Sequence, residues 1–258
     1  MNYNFIISFS SKYSSLIGIF MPLFLKNTSG LDKNIYISLD EEVPITFEYD
    51  DIYISKEETL PTKIKHIAEK HPDEVYICLL GDAFITKRAD MHVLFNELMK
   101  QKFNYCNLMP KGAKKIRKNS IIKKIKTKQR YGVSFIAFAA TYAFITSEFN
   151  GISDYDFEIN YLKKSYETKD KFFGGMYMLN TDLLGIVHGI SNGKWNRKAY
   201  ATISKNNVIT SNDIPVQTIR DYFFDNLANF SSLLVPLRLR FFLKKMLIKF
   251  GFKFKTGY

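Results

Sequence analysis

The sequence predicts an α/β domain built on a largely parallel sheet, and three patterns support this class. The run VYICLL at 75–80 is a continuous apolar segment of strand length, which is typical of a strand buried on both faces. Residues 4–40 have the order strand, helix, strand, and such a βαβ unit implies parallel pairing. Amphipathic segments at 59–74 and 89–101 supply helices that could cover the sheet.

Taken in order, the first half of the chain alternates strands and helices. The predicted strands are NFIISFSS at 4–11, KNIYISLD at 33–40, a short DDIYIS at 50–55, VYICLL at 75–80 and KFNYCNLMP at 102–110. The predicted helices lie at 12–27, 59–74 and 89–101. Pro22 should kink or end the first of them, and the lysines of the second should face solvent. This order is a half-Rossmann-like nucleotide-binding arrangement.

The second half of the chain is less regular. The stretch GVSFIAFAATYAFI at 132–145 is apolar but its period is ambiguous. In SDYDFEINYLKKSYE at 153–167, acidic residues alternate before a helix-like segment at 161–166. The run at 183–207 predicts a strand, a glycine-rich turn and a helix.

Composition and motifs argue against several protein classes. Cys78 and Cys106 lie in apolar strands without a CxxC pair, so neither a disulfide framework nor a zinc site is predicted. The motifs GxGxxG and GxxxxGK[ST] do not occur, which disfavours dinucleotide enzymes and P-loop kinases. The stretch 1–15 lacks signal-peptide features, and the longest apolar runs are shorter than the roughly 20 residues of a membrane-spanning helix. We therefore expect a cytoplasmic protein, either soluble or at a membrane surface.

The net charge of +12 is concentrated in two segments. Residues 111–130 contain ten Lys or Arg and residues 226–258 contain seven, with no acid in either segment. The second segment combines apolar residues at helical spacing with the basic residues Arg238, Arg240, Lys244, Lys245 and Lys249. This pattern predicts a helix in the headgroup layer of an anionic membrane, and a core-packed helix with a solvated basic face is the alternative. We expect a main domain at 1–215 and this helical segment at 216–258.

Asp82 is the first candidate site residue. It follows the predicted strand at 75–80, directly behind Gly81. Ligands of open α/β sheets bind outside the carboxyl ends of the strands, and a glycine there lets a ligand approach the backbone. The alternative is that Asp82 only caps the segment that follows.

The order of several motifs resembles a group of bacterial GT-A-type glycosyltransferases of surface-polysaccharide assembly, which make capsule, O-antigen or lipooligosaccharide. The motifs are KYSSLIGIFMPLFLKN, IYISLD, VYICLLGDAFITKRADM, YGVSFIAFAATYAFI, DYDFEIN and VHGISNGKW. The similarity covers residues 4 to about 200, and its specificity comes from the order rather than from any single motif. It implies a GT-A-like mixed sheet flanked by helices and a nucleotide-sugar donor.

The resemblance implies that Asp82 binds a divalent cation, Mg²⁺ or Mn²⁺, which neutralises the donor diphosphate. The chain departs from the family pattern at this point, because Gly81 stands where the family has a second acid. A cationic side chain that contacts phosphate directly is the alternative to the metal, and Lys87, Arg88 and Lys194 are the candidates.

The resemblance further implies that Glu158 is the base of an inverting transfer, which takes the proton from the acceptor hydroxyl. We expect the neighbouring Tyr155 and Phe157 to raise the pKa of Glu158 by burial. Two alternatives remain open. Asp154, Asp156 and Glu158 could together be a solvated helix start, and a retaining transfer would need no such base.

Further residues are expected to bind the donor. His188, Lys194 and Trp195 lie on one glycine-flanked turn, where the lysine would contact phosphate and the only tryptophan could stack on a base or a sugar. A structural histidine at a strand end is the alternative for His188. The resemblance also suggests nucleoside contacts at the ends of the first two strands, from Ser8, Ser10, Tyr13 and Asp40. Turn chemistry alone would explain these residues equally well.

The sequence therefore predicts a glycosyltransferase of polysaccharide or glycolipid assembly, peripheral at the inner face of the cell membrane, with a lipid-linked or saccharide acceptor. Two other classes remain open. A nucleic-acid-binding protein would use the basic segments at 111–130 and 236–255, and its affinity for RNA would fall steeply with salt. An inactive GT-A-like subunit would bind liposomes without transferring any sugar, and the reduced motif at Asp82 is compatible with it.

Overall fold

The computed structural model of the protein describes residues 2–88, 90–109, 121–127, 132–205 and 214–222. The strands are β1 (Tyr3–Ser8), β2 (Lys33–Leu39), β3 (Asp51–Ile54), β4 (Val75–Leu80), β5 (Ala83–Ile85), β6 (Tyr105–Asn107), β7 (Ile122–Lys126), β8 (Ala137–Thr141), β9 (Phe172–Leu179), β10 (Ile186–His188), β11 (Ile190–Ser191) and β12 (Lys194–Trp195). Eight of them form a mixed sheet with the order β3-β2-β1-β4-β8-β6-β9-β7. The helices are a 3₁₀ helix at Ser11–Leu16, α1 (Ile17–Asn27), α2 (Leu60–Lys70), α3 (Met91–Lys100), α4 (Tyr142–Glu148), α5 (Asp154–Glu167) and α6 (Arg197–Ser204).

One half of the sheet is parallel. Strand β1 pairs in parallel with β2 on one side and with β4 on the other, and β2 pairs in parallel with β3. These strands therefore all end at the same edge of the sheet, where β1 ends at Ser8, β2 at Leu39 and β4 at Leu80. We call this edge the carboxyl edge.

The other half of the sheet is mostly antiparallel. Strand β8 pairs antiparallel with both β4 and β6, β9 runs parallel to β6, and β7 runs antiparallel to β9. Strand β8 therefore begins at the carboxyl edge, where the Leu80 amide donates to the Ile136 carbonyl at 2.9 Å. Two small ribbons, β5 with β10 and β11 with β12, lie outside the main sheet.

Helices cover both faces of the sheet. Side chains such as Phe5 and Ile7 pack with α1, α3 and α6, whereas side chains such as Ile6 and Cys78 pack with α2, α4 and α5. Successive residues of a strand point to opposite faces, so a strand that is covered on both sides must be apolar throughout. This is the reason for continuous apolar runs such as VYICLL.

The predicted α/β class, a mixed sheet flanked by helices, is confirmed by this architecture. Three local predictions differ from the structure. Helix α1 continues through Pro22, because burial of most of its side chains against the sheet offsets the missing hydrogen bond. Helix α5 begins at Asp154 rather than near 161, with Ser153 as its N-cap. Strands β7 and β9 were not predicted, since glycines interrupt β9 and lysines occupy β7.

The two basic segments lie largely outside the described residues. Residues 223–258 are not described, so the C-terminal helical segment with Arg238, Arg240, Lys244, Lys245 and Lys249 stays a prediction, as does the division at 215 and 216. Of the segment 111–130, residues 121–127 are described and form β7 at the end of the sheet. Lysines on such an edge strand disfavour pairing with another chain. Within the described ranges, no helix is both long enough and apolar enough to cross a membrane.

Candidate active site at the carboxyl edge

Three predicted site residues come together where the parallel strands end. Ser8 is the last residue of β1, Asp40 directly follows β2, and Asp82 follows β4 after Gly81. The Gly81 amide donates to the Ser8 carbonyl at 2.7 Å, which holds the two strand ends side by side. Strand β1 lies between β2 and β4, so its end lies between the two aspartates, at the edge where open α/β sheets bind ligands.

Asp40 holds the turn that follows β1. Its Oδ2 accepts a hydrogen bond from the Ser10 hydroxyl at 3.0 Å, and its Oδ1 accepts one from the Ser11 amide at 2.5 Å. Partial burial raises the pKa of Asp40, but the hydrogen bonds from Ser11 and Ser10 outweigh it, so that the pKa lies below the usual value. Both carboxylate oxygens of Asp40 are therefore engaged with the turn. By contrast, the buried hydroxyl of Ser8 has no hydrogen-bond partner.

A buried lysine lies beneath the end of β2. The Lys63 side chain of α2 is 7% exposed, and its Nζ donates to the Leu39 carbonyl at 3.0 Å. This corrects, for Lys63, the expectation that the lysines of this helix face solvent; Lys70 is exposed as predicted. Burial lowers the pKa of Lys63, and the carboxylates of Asp40 and Glu58 oppose that shift.

Asp82 pairs with His188, which lies 106 residues later in the chain. Strand β5 pairs with β10 so that Ala83 is opposite His188, and this brings the His188 Nε2 to 3.0 Å from the Asp82 Oδ2. The same oxygen accepts from the Ile190 amide at 3.2 Å. The Asp82 Oδ1 is buried and has no hydrogen-bond partner. Asp82 is thus a carboxylate with one oxygen engaged and one buried oxygen whose hydrogen-bonding capacity is unused.

Gly81 has no room for a side chain beside Asp82. A Cβ placed on Gly81 would overlap the ring of Phe9, which follows β1 directly. Phe9 is buried and packs against Phe20 with ring centroids 5.4 Å apart. The space that a second carboxylate would need is therefore filled by an aromatic side chain.

The hairpin of β11 and β12 lies beside the first turn. Asn192 and Gly193 connect the two strands, and both have a positive φ, as a type I′ turn requires. The Tyr13 hydroxyl lies 3.6 Å from the position that a Cβ would occupy at Gly193. Tyr13 therefore extends from the first turn to the hairpin.

Trp195 is placed in the core instead of at the surface. Its side chain is 1% exposed, and its ring stacks on Phe84 with centroids 5.5 Å apart. A ring buried in this way cannot stack on a base or a sugar in this conformation. The role that the structure supports for Trp195 is to pack the hairpin against β5.

Two of the three candidate phosphate-binding cations, Lys194 and Lys87, are already paired with acids. The Lys194 Nζ lies 2.8 Å from the Asp221 Oδ2, and this hydrogen bond holds the pKa of Asp221 below its usual value. The Lys87 Nζ lies 3.4 Å from the Asp182 Oδ2, whereas Arg88 is exposed near Gly30. Lys194 lies on the hairpin of β11 and β12, which follows His188 in the chain, and to bind phosphate it would have to leave Asp221.

Glu158 is anchored at the same edge of the sheet from the other half of the domain. Its Oε1 accepts a hydrogen bond from the Phe135 amide at 3.0 Å. Phe135 immediately precedes Ile136, whose carbonyl accepts from Leu80 at the end of β4. The Glu158 carboxylate is thereby fixed near the start of β8, beside the strand that carries Asp82.

The surroundings of Glu158 differ in part from the prediction. Phe157 is buried, but Tyr155 is 52% exposed and does not cover the carboxylate. Asp154 and Asp156 fit the alternative of a solvated helix start, because both are exposed in the first turn of α5 and the Asp156 amide donates to the Ser153 hydroxyl at 3.0 Å. Glu158 lies beyond that turn and contacts the segment before β8.

The chain has low overall similarity to several solved structures. HddC from Yersinia pseudotuberculosis is 12% identical over 69% of this chain and 89% of that chain, with a TM-score of 0.43. TarS 1-349 from S. aureus is 8% identical over 70% of this chain and 58% of that chain, with a TM-score of 0.45. A provisionally assigned nucleotide-diphospho-sugar transferase from Desulfovibrio desulfuricans G20 is 11% identical over 64% of this chain and 78% of that chain, with a TM-score of 0.41. No protein-family model and no curated protein sequence matches the chain.

These TM-scores are low and do not establish a family.

The described residues offer few ligands for a metal ion. Among the described residues, no group of three or more His, Cys, Asp and Glu side chains could hold a metal ion. Asp82 nevertheless supplies one carboxylate, with its Oδ2 engaged by the His188 Nε2 at 3.0 Å and its Oδ1 buried without a partner. A single carboxylate fits a cation whose remaining ligands come from substrate phosphates or water.

Proposed function

We propose that the chain is a glycosyltransferase that moves a sugar from a nucleotide-sugar donor to a lipid-linked or other saccharide acceptor. The observation that carries the proposal is Asp82. Its carboxylate lies outside the end of β4, one of its oxygens is paired with His188, and the other is buried without a partner. Leaving a buried carboxylate oxygen unpaired is costly, which favours a site where a ligand supplies the missing partner.

We place the donor crevice at the carboxyl edge, where it would take the nucleoside diphosphate half of the donor. The turn at Ser8–Ser11 offers the unpaired Ser8 hydroxyl, and Asp40 keeps that turn in place. Tyr13 and Lys194 lie on the hairpin side of the same crevice. In this arrangement the phosphates would lie between Asp82 and the hairpin, with the nucleoside toward Ser8.

The proposed transfer is inverting, and Glu158 acts as its base. Glu158 takes the proton of the acceptor hydroxyl while that oxygen forms a bond to the anomeric carbon of the donor sugar. The bond from the anomeric carbon to the phosphate oxygen breaks, and its electron pair leaves with the nucleoside diphosphate. Asp82, oriented by His188, would hold Mg²⁺ or Mn²⁺, which when bound neutralises charge on the leaving diphosphate.

The proposed setting is surface-polysaccharide or glycolipid assembly at the cytoplasmic face of the cell membrane. Its support is the composition of residues 226–258, where seven basic residues and no acid accompany apolar residues at helical spacing. Such a segment would hold the enzyme beside a lipid-linked acceptor. Cosedimentation of the full chain with liposomes, with and without anionic lipid, tests this part separately.

A thermal-shift panel tests the proposed donor. A ligand that binds only the folded protein stabilises it by about 2.7 kcal/mol at a concentration of 100 Kd. We expect one or a few nucleotide sugars to raise the melting temperature of the full chain, and Mn²⁺ to increase the effect. If no nucleotide sugar shifts the melting temperature but single-stranded RNA does so in a salt-dependent manner, the chain is a nucleic-acid-binding protein. A donor-dependent shift without transfer to any acceptor would instead favour the inactive subunit.

A further inference from the structure

The hydroxyl of Tyr105 makes two hydrogen bonds to the backbone of one residue. It donates to the Ser134 carbonyl at 2.6 Å and accepts from the Ser134 amide at 2.8 Å. The Tyr105 ring is fully buried, with its centroid 5.5 Å from that of Phe138 and 5.7 Å from that of Phe144. The packed ring and the two hydrogen bonds together fix the backbone just before β8.

The peptide unit that Tyr105 holds is the one that contacts Glu158. The Ser134 carbonyl and the Phe135 amide belong to the same planar trans peptide, so they point in opposite directions. Tyr105 donates to the carbonyl at one end, and the amide at the other end donates to the Glu158 carboxylate at 3.0 Å. Hydrogen bonds arranged in such a chain polarise one another, which strengthens the last of them.

We propose that Tyr105 is a positioning residue for Glu158, because its hydroxyl holds the peptide between Ser134 and Phe135 with the amide aimed at the carboxylate. This inference rests on the proposed function, in which Glu158 is the base. It adds that a residue of β6 sets the orientation of Glu158. Strand β6 lies on one side of β8, and β4, which Asp82 follows, lies on the other.

The charges around this peptide support the arrangement. Burial raises the pKa of Tyr105 well above its usual value, the hydrogen bond from Ser134 opposes this, and the charge of Glu158 adds to it, so the hydroxyl keeps its proton and keeps donating. Among the described residues, the buried thiols of Cys78 and Cys106 also act on the pKa of Tyr105, and Asp154 and Asp156 lie on the same helix as Glu158. A hydrogen bond to the ionised form of Glu158 favours that form.

The direct test is the pKa of Glu158, measured by ¹³C NMR of its side-chain carboxyl and assigned by the loss of that signal in Glu158→Gln. Tyr105→Phe removes the hydroxyl and should raise the pKa of Glu158 by about one pH unit. The matched control is Tyr76→Phe. Tyr76 is also a buried tyrosine on this face of the sheet. Its hydroxyl donates to the carbonyls of Ala68 and His71 and accepts from the Asp73 amide, so it does not contact the peptide before Phe135. An unchanged pKa in Tyr105→Phe, or an equal rise in both variants, overturns the inference.

Kinetics add a second readout. Glu158→Gln should lower turnover at least a hundredfold, because the base is lost. Tyr105→Phe should lower kcat on the order of tenfold and leave the KM for the donor unchanged. It should also shift the acid limb of the pH–rate profile to higher pH, because the pKa of Glu158 rises. Normal turnover in Glu158→Gln would remove its role as the base and thus contradict the proposed mechanism. The NMR result would still decide whether Tyr105 orients the Glu158 carboxylate.

A measurement on the native chain covers the case in which Tyr105→Phe does not fold. In the native protein, the Ser134 and Phe135 amides should exchange slowly with solvent, and the chemical shift of the Phe135 amide should follow the titration of Glu158. Fast exchange at Ser134, or a Phe135 amide that ignores the titration, overturns the inference without any variant.

Discussion

Asp40 and Asp82 follow the ends of two strands that flank β1, yet their surroundings differ. Both oxygens of Asp40 accept hydrogen bonds, from Ser10 and Ser11, and thereby close the turn after β1. Asp82 shares one oxygen between His188 and the Ile190 amide, and its other oxygen is buried with no hydrogen-bond partner. Both aspartates therefore follow a strand end, and they differ in whether both carboxylate oxygens accept a hydrogen bond.

The difference indicates separate roles. A carboxylate whose two oxygens are satisfied by its own loop stabilises the fold, and a ligand gains little by competing for it. A buried oxygen without a partner costs about 1–3 kcal/mol, a cost that a bound ligand can remove. We therefore interpret Asp40 as support for the nucleoside side of the crevice, and Asp82 as the residue that contacts the diphosphate side.

The largest expected effect is that of Asp82→Asn. This change keeps the shape of the side chain and removes the charge, so turnover should fall at least a hundredfold while the melting temperature stays near that of the native chain. The matched change Asp40→Asn should lower turnover less than tenfold, since Asp40 acts through the turn. Initial rates with saturating donor and acceptor measure both. Equal losses in the two variants would contradict the separate roles.

Gly81→Ala is expected to lower the free energy of unfolding by about 1–3 kcal/mol, because the added methyl group overlaps the buried Phe9 ring. Gly18→Ala is the matched control. A Cβ at Gly18 meets no atom within 4 Å, and alanine is the better helix former, so stability should be unchanged or slightly higher. Urea denaturation of both variants gives the comparison. An equally stable Gly81→Ala protein would show that Phe9 does not exclude a side chain beside Asp82.

His188→Asn tests whether the partner of Asp82 is functional. We expect turnover to fall by about tenfold and the response to Mn²⁺ to weaken, because the Asp82 carboxylate loses the side chain that orients it. His92→Asn, on the exposed face of α3, should have no effect on either quantity. Full activity with an unchanged Mn²⁺ response in His188→Asn would leave His188 as a structural residue at a strand end.

Local signals explain why much of the parallel half could be predicted. VYICLL followed by Gly-Asp identifies a buried strand and a carboxylate at its end from a few adjacent residues. Asp40 was placed in the same way. The strands of the second half instead pair across long stretches of chain, as Tyr105 does with Met176 and Ala83 with His188. Their sequences carry glycines and lysines in place of a clear alternation, so β7 and β9 were missed.

The contacts that define the site are also long-range. The pairing of Asp82 with His188 depends on β5 meeting β10, and the contact of Glu158 with the Phe135 amide depends on how α5 packs on β8. No local pattern encodes either contact. Tyr105 gave a weak signal, since a tyrosine inside an apolar strand needs a partner for its hydroxyl, but that signal names no partner.

The smallest expected effect is on stability, and Asp40→Asn provides it. The pKa of Asp40 is lower in the folded protein than its usual value of 3.8, so its ionised form stabilises the fold at all pH values above that value. This contribution is lost as the pH falls through the folded pKa. The free energy of unfolding of the native chain should therefore exceed that of Asp40→Asn by about 1 kcal/mol near neutral pH. This difference should shrink below pH 3.8.

Urea denaturation at several pH values measures this difference, with the exposed Asp32→Asn as the control. A difference that stays constant with pH would mean that the charge of Asp40 does not matter to the fold. A difference that grows toward low pH would mean that the folded protein raises the pKa of Asp40. In that case the hydrogen bonds from Ser10 and Ser11 would not compensate the burial of the Asp40 carboxylate. Asp40 would then be, like Asp82, a candidate ligand-binding residue.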